Sequence, residues 1–327
     1  MPAAATPSIL TPTPTLSRSY QVRDQFQFLV SHVSVVIISL IESPCLSIRA
    51  YIVNQNSYNI SICTVSGEQL TCGQQVHLNS SSVMGIALSP DGQTAYIVNP
   101  RSNSVTVCSI LADNTLKCGD PTGSNMANPL GIAISPDGTK AYVTNYNNSG
   151  YLYTVTVCSI SGFDFTCSKP TGSNLKLPWG IALSPDGSKA YVANGASTPL
   201  GAVTVCQVLG DILTNCQLTA FQNPSASLVG IAISPDGSTA YFSNSYNNTI
   251  TICNVSDYTF DCGPQLNPNS TTFKNPRFIS LSRDGLQLFV TNSRSNKVSV
   301  CSVSGQELGP CNNTRSNTYL PEGIAVY

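Results

Sequence analysis

The chain has 327 residues, of which only 9% are charged, and its formal net charge is −1, whereas typical soluble domains carry roughly 25% charged residues. That balance excludes a nucleic-acid partner, because no basic stripe is present to neutralise phosphates. Ser, Thr and Asn must solvate the surface instead, which suits an extracytoplasmic protein (secreted, periplasmic or at the cell surface).

Residues 1–48 stand apart from the rest. Met1–Ser17 is rich in Pro, Thr, Ala and Ser and reads as disordered. Phe28–Ile41 (FLVSHVSVVIISLI) is largely apolar. It is too short to cross a bilayer comfortably as a helix, so no integral membrane span is expected. It fits the apolar core of an export signal, with Arg18 and Arg23 upstream. No small-x-small cleavage site follows it, and Ile37–Pro44 (IISLIESP) also loosely matches a strand opening found later. The export signal is preferred, because the cysteines call for an oxidising compartment. Cys45 falls outside every pattern.

From residue 49 onward the chain repeats. The clearest copy is Gly131–Asn145, GIAISPDGTKAYVTN; others begin at Gly85, Gly180 and Gly230. Phe278 opens a degenerate copy (FISLSRDGLQLFVTN), and Gly323–Tyr327 (GIAVY) is a bare opening. Starts are 45 to 50 residues apart, a period that marks stacked or radially arrayed units. Within one unit, Ile132–Ser135 suits a buried strand, and Pro136-Asp137-Gly138 makes a tight turn. Ala141–Asn145 is a second strand, Thr154–Ile160 alternates as a third, and Phe163–Ser168 is a fourth. Four antiparallel strands per unit of this length describe a propeller blade.

Second strands at Tyr51, Tyr96, Tyr142, Tyr191, Tyr241 and Phe289 make six units. Residues 49–327 are therefore expected to form one all-β domain, a six-bladed β-propeller of four-stranded antiparallel blades. The array opens on a second strand and ends on a first strand. Residues 323–327 should then supply the innermost strand of the first blade and close the ring. Seven blades, with extra strands drawn from residues 20–41, is the lesser alternative, since that stretch has no cysteine pair.

Twelve of the 13 cysteines fall into one pair per unit: Cys63 with Cys72, Cys108 with Cys118, Cys158 with Cys167, Cys206 with Cys216, Cys253 with Cys262 and Cys301 with Cys311. The separations of 9 or 10 residues do not match paired zinc knuckles. One cysteine of each pair lies on the third strand and one on the fourth, across a short hairpin. Six local disulfides, each fastening the outer edge of a blade, are the expectation.

Tyr142-Val143-Thr144-Asn145 resembles the tetrapeptide of the YVTN family of β-propeller repeats, with variants at Tyr51, Tyr96, Tyr191, Tyr241 and Phe289. The resemblance covers residues 49–327. It implies an exported propeller of the bacterial surface-layer kind, similar more distantly to lactonase-like propellers, and it implies no reaction. A cysteine pair in every unit and an apparent count of six blades depart from the lactonase-like pattern.

Repetition explains most residues that would otherwise look special. Asp91, Asp137, Asp186, Asp236 and Asp284 occupy one position of the turn and point away from one another around a ring, so they form no carboxylate site. The Asn of each tetrapeptide is expected to bond loop backbone. Chemistry belongs where the copies diverge. If first strands line a central channel, the residue before each guards one mouth: Met84, Leu130, Trp179, Val229, Arg277 and Glu322. Three guards are ordinary apolar residues. Trp179, Arg277 and Glu322 are the candidate ligand-binding residues, as an aromatic platform beside an ion pair; the plainer reading is a salt bridge that plugs the channel. The two histidines, His32 and His77, have no nucleophile context. No cofactor and no metal site are expected.

The function that follows is a disulfide-stapled binding or interaction module, taking a protein or glycan through its variable-loop face, and not primarily an enzyme. The alternative is a lactonase- or lyase-like enzyme acting on a small polar substrate at the channel mouth. A self-assembling envelope component is a third reading.

Overall fold

A computed structural model describes residues 48–146, 153–197, 200–220, 227–268, 271–315 and 319–327. The expectations for the tail, the export signal and Cys45 lie outside these residues. The chain divides into two units, Met1–Cys45 and Leu46–Tyr327, and the second is the propeller.

Six four-stranded antiparallel blades form the ring. From the innermost strand outward, the second blade is Ile86–Leu88, Thr94–Asn99, Ser104–Ile110 and Leu116–Cys118. The third is Pro129–Ile134, Lys140–Asn145, Thr154–Ser161 and Asp164–Cys167. The fourth is Pro178–Leu183, Lys189–Ser197, Leu200–Leu209 and Ile212–Ala220. The fifth is Leu228–Ile233, Thr239–Asn244, Thr249–Ser256 and Thr259–Cys262. The sixth is Pro276–Leu281, Gln287–Asn292, Lys297–Ser304 and Glu307–Arg315. The first blade is composite: Pro321–Val326 joins Arg49–Asn54, Asn59–Ser66 and Gln69–His77. Ala50 faces Val326 and Ile52 faces Ile324 across that join, so the expected closure is the one observed. Among the described residues no helix is long and apolar enough to cross a membrane.

The second strands are buried on both faces because each is sandwiched between neighbouring blades; Tyr51, Ile52, Val143 and Phe242 are all 2% exposed or less. Inner strands pack on one another around the ring, and the glycine that opens every copy but the one at Phe278 permits this. A Cβ on Gly131 would sit 2.2 Å from the Trp179 carbonyl oxygen, and one on Gly180 would sit 2.5 Å from that of Val229. Backbone cannot retreat as a flexible side chain can. Gly180→Ala is therefore expected to cost about 1–3 kcal/mol, lowering the melting temperature by about 2–6 °C. Gly73→Ala, which would meet nothing within 4 Å, should leave the melt unchanged in the same assay.

The repeated polar residues serve the turns and loops. Asp137 accepts from the Ser135 hydroxyl at 2.5 Å and the Thr139 amide at 3.0 Å, around Gly138 at φ +74°. Those donors, the Ser135 hydroxyl first, pull its carboxyl down to about 2. Asn145 accepts from the Ala127 amide and donates to the Thr156 hydroxyl, joining the loop before an inner strand to the third strand.

All six disulfides form as paired in the sequence. Cys63 is bonded to Cys72, Cys108 to Cys118, and Cys158 to Cys167. Cys206 is bonded to Cys216, Cys253 to Cys262, and Cys301 to Cys311. In five blades the partners sit directly opposite in the strand register, as Cys63 faces Cys72, Cys158 faces Cys167 and Cys301 faces Cys311. In the fourth blade the register shifts beside Cys206, yet Cys216 still reaches it across the hairpin.

Candidate active site at the channel mouth

The three divergent guards come together at one mouth of the channel. The inner strands begin earlier than expected, so Arg277 and Glu322 are the second residues of Pro276–Leu281 and Pro321–Val326, the innermost strands of the sixth and first blades, which are neighbours in the ring. The Arg277 Nε lies 3.3 Å from a Glu322 carboxylate oxygen. On its other side the guanidinium carbon sits 5.0 Å above the Trp179 ring, within the range of a cation–π contact. Arg277 thus reaches across the slot of Val229, a small guard that is 1% exposed. Trp179 has Tyr146 beside it, ring centroids 6.3 Å apart and tilted by 60°. Gly195 makes room for the indole, since a Cβ there would lie 2.6 Å from its ring.

This cluster is electrostatically unfinished. Glu322 is completely buried, whereas the Arg277 side chain is 22% exposed. Neither carboxylate oxygen of Glu322, nor Arg277 Nε, makes a hydrogen bond within the protein. Burial pushes the Glu322 carboxyl up to about 7, and the nearby positive charge of Arg277 only partly opposes it. A buried carboxylate without donors is costly, and a buried carboxyl with so displaced a titration is a candidate functional group. Backbone strain is found at the same place. Leu177 and Leu320, two residues before Trp179 and Glu322, have φ of +54° and +53°. The left-handed conformation costs an ordinary side chain about 1–2 kcal/mol. At the equivalent positions before Leu130 and Arg277 the residue is Asn, which tolerates it.

On the turn side of the guards, the channel holds a cavity of about 380 Å³ whose walls include Ile86, Ile181, Ile231, Ile279 and Ile324. Those walls are mainly aliphatic, with Ser89, Ser282, Arg283 and Tyr327 also lining the turn side. Among the described residues no group of three His, Cys, Asp or Glu side chains could hold a metal ion.

Sequence reasoning found the three guards but missed what holds them. The third residue of each tetrapeptide is Val53, Val98, Thr144, Ala193, Ser243 or Thr291. Thr144 donates to the Trp179 carbonyl at 2.7 Å, Ser243 to that of Arg277, and Thr291 to that of Glu322 at 2.6 Å. The blades before the apolar guards Met84, Leu130 and Val229 carry Val53, Val98 and Ala193 instead. The signal was present in the sequence as a coincidence of two variations, one at the tetrapeptide and one at the next guard.

The fold is a six-bladed β-propeller. Residues 178–327, a stretch that includes Trp179, Arg277 and Glu322, match the family described as lactonase, 7-bladed beta-propeller; six blades are seen here. No curated protein matches the chain in sequence. Among solved structures it is similar to the periplasmic gluconolactonase of Pseudomonas aeruginosa, at 14% identity and a TM-score of 0.63, covering 86% of this chain and 99% of that one. A chain of the nidogen/laminin complex has a TM-score of 0.64 at 14% identity, covering 85% and 98%. The hydrazine synthase of Kuenenia stuttgartiensis has a TM-score of 0.55 at 17% identity, covering 77% and 75%. At such identities the likeness is one of fold, and this fold serves dissimilar purposes.

Proposed function

We propose that the protein is a hydrolase of small lactones, acting at the guard-end mouth. The observation that carries this reading is the buried Glu322 carboxyl, ion-paired with Arg277 but without a hydrogen bond, inside the stretch that matches the lactonase family. A carboxyl pushed up to about 7 is matched to general-base work near neutral pH. In this reading the Arg277 side chain swings off Glu322 when a substrate enters. Its N–H groups then donate to the lactone carbonyl oxygen, on which negative charge develops. Glu322 takes a proton from water as the oxygen attacks the carbonyl carbon. The carbon–oxygen bond of the ring breaks, and the proton on Glu322 passes to the departing ring oxygen, leaving a hydroxy acid. Trp179 holds Arg277 by its ring face and shields the site from bulk water.

This reading draws more support than the interaction module expected from the loops, several of which, including 147–152, 198–199 and 221–226, lie outside the described residues. Disulfides in every blade favour folding in an oxidising compartment, so we place the protein outside the cytoplasm. Titration of five- and six-membered sugar lactones tests the reading, with acid release followed in a pH-stat and Trp179 emission followed in parallel. Acid release should saturate with lactone, and Arg277→Ala should lower kcat/KM by about 100-fold, as the loss of one oxyanion donor does. No acid release and no change in emission across the series would remove the hydrolase reading.

A further inference from the structure

We infer that Thr144, Ser243 and Thr291 are positioning residues of the mouth, each aiming the functional guard of the following blade; the catalytic consequence rests on the hydrolase reading, whereas the positioning itself does not. The observation is a one-to-one correspondence around the ring. A hydroxyl stands at the third tetrapeptide position in the three blades that precede Trp179, Arg277 and Glu322, and in no other.

The geometry shows what the hydroxyl changes. In the second blade the Gly85 amide donates straight to the carbonyl of the next guard, Leu130, at 3.0 Å. In the third blade a hydroxyl is interposed. The Gly131 amide donates to Thr144 Oγ1 at 2.8 Å, and Thr144 Oγ1 donates to the Trp179 carbonyl at 2.7 Å. The fifth blade repeats the relay, with the Gly230 amide donating to Ser243 Oγ at 2.7 Å and Ser243 Oγ donating to the Arg277 carbonyl. In the sixth, Thr291 Oγ1 bonds the Glu322 carbonyl at 2.6 Å, more closely than the Phe278 carbonyl at 3.1 Å. Thr144, Ser243 and Thr291 are themselves fully buried, so water cannot substitute for them.

The carbonyl and the side chain of a guard leave adjoining atoms of one backbone, so a carbonyl anchored to the preceding blade restrains the backbone position from which the side chain extends. Holding the carbonyl therefore restrains the guard. An apolar guard only fills space and tolerates a looser peptide. A guanidinium that must start between a carboxylate and an indole face and then meet a substrate oxygen does not, because errors near 1 Å in such sites cost about 100-fold in rate. Phe278 strengthens the case for the sixth blade. It replaces the close-packing glycine there, so the junction beside Glu322 cannot rely on the tight backbone contact used elsewhere.

The decisive variants are Thr144→Val and Ser243→Ala, with Thr144→Ser as the conservative rescue and Val98→Ala as the control at an apolar guard. Trp179 is the only tryptophan, so its acrylamide quenching reports the mouth without any substrate. The Stern–Volmer constant should rise roughly two-fold in Thr144→Val and in Ser243→Ala as the stack loosens, return in Thr144→Ser, and stay put in Val98→Ala. In the lactone assay kcat should fall about 10- to 100-fold in the first two variants. Unchanged quenching in Thr144→Val and Ser243→Ala, even with a lowered melting temperature, would mean that the hydroxyls only brace the ring. Altered quenching without any lactone turnover would keep the positioning role and reject the hydrolase reading alone. Should Thr144→Val not fold, Ser243→Ala gives the same readout through Arg277.

Discussion

Glu322→Gln is expected to lower lactone hydrolysis by about 10²- to 10⁴-fold, the usual worth of a general base, while making the protein more stable above neutral pH. Both effects have one cause. Burial lifts the Glu322 carboxyl from an ordinary 4.5 to about 7. Between those values the folded protein holds a proton that the unfolded chain has released, so stability falls as pH rises through this window. The full cost is present above about pH 7 and absent below about pH 4.5. A displacement of that size corresponds to roughly 3 kcal/mol, or about 5 °C in melting temperature for a chain of this length. Activity should move in the opposite direction, rising through about pH 7 as the carboxylate forms. Glutamine keeps the shape and cannot ionise. Its melting temperature relative to wild type should therefore climb across the same window, while its residual rate becomes flat in pH. Melts at matched ionic strength from pH 4 to 9, paired with kcat/KM profiles, check both. A variant that hydrolyses lactone at the wild-type rate removes Glu322 as the base.

Reduction of the disulfides is expected to have the larger effect on stability. Each bridge closes a loop of 9 or 10 residues, worth roughly 2–3 kcal/mol in the chain-entropy model. The six lie in different blades and share no partners, so their contributions should nearly add. Complete reduction should lower the melting temperature by about 20–30 °C, and the double variant Cys158→Ala with Cys167→Ala should lower it by about 4–6 °C. Calorimetry with and without reductant, with thiol counting, reads this directly. The outer strands should open first, because they are held by one neighbour only, and hydrogen exchange should show protection lost in Asp164–Cys167 before Lys140–Asn145. A reduced protein that melts where the oxidised one does would show that the blade core alone sets stability.

The two kinds of prediction draw on different parts of the chain. Disulfides and blade architecture rest on what repeats. The burial of Glu322 and the role proposed for it rest on what does not, and the same holds for Trp179 and Arg277, which sequence reading isolated as departures at one repeat position. That reading could say that Arg277 and Glu322 are adjacent in a closed ring. It could not say that Arg277 also crosses Val229 to reach Trp179, stacking its guanidinium 5.0 Å from the ring. Nor could it find the hydroxyls of Thr144, Ser243 and Thr291, because variation at the third tetrapeptide position looks like ordinary drift until the next blade is placed against it.

Local chemistry determined most of the architecture from the sequence alone. Alternation and turn residues define four strands per unit, a 45- to 50-residue period sets their number, and hairpin-spaced cysteines give the pairing. Those features depend on neighbours along the chain or within one blade. The tertiary structure alone decided the character of the mouth: which guard touches which, how deeply Glu322 is buried, and that its oxygens are left without donors. Such properties depend on residues in different blades whose distance is fixed only when the ring closes. Burial, and with it the carboxyl's reluctance to ionise, belongs to that closed ring and to no segment of the sequence.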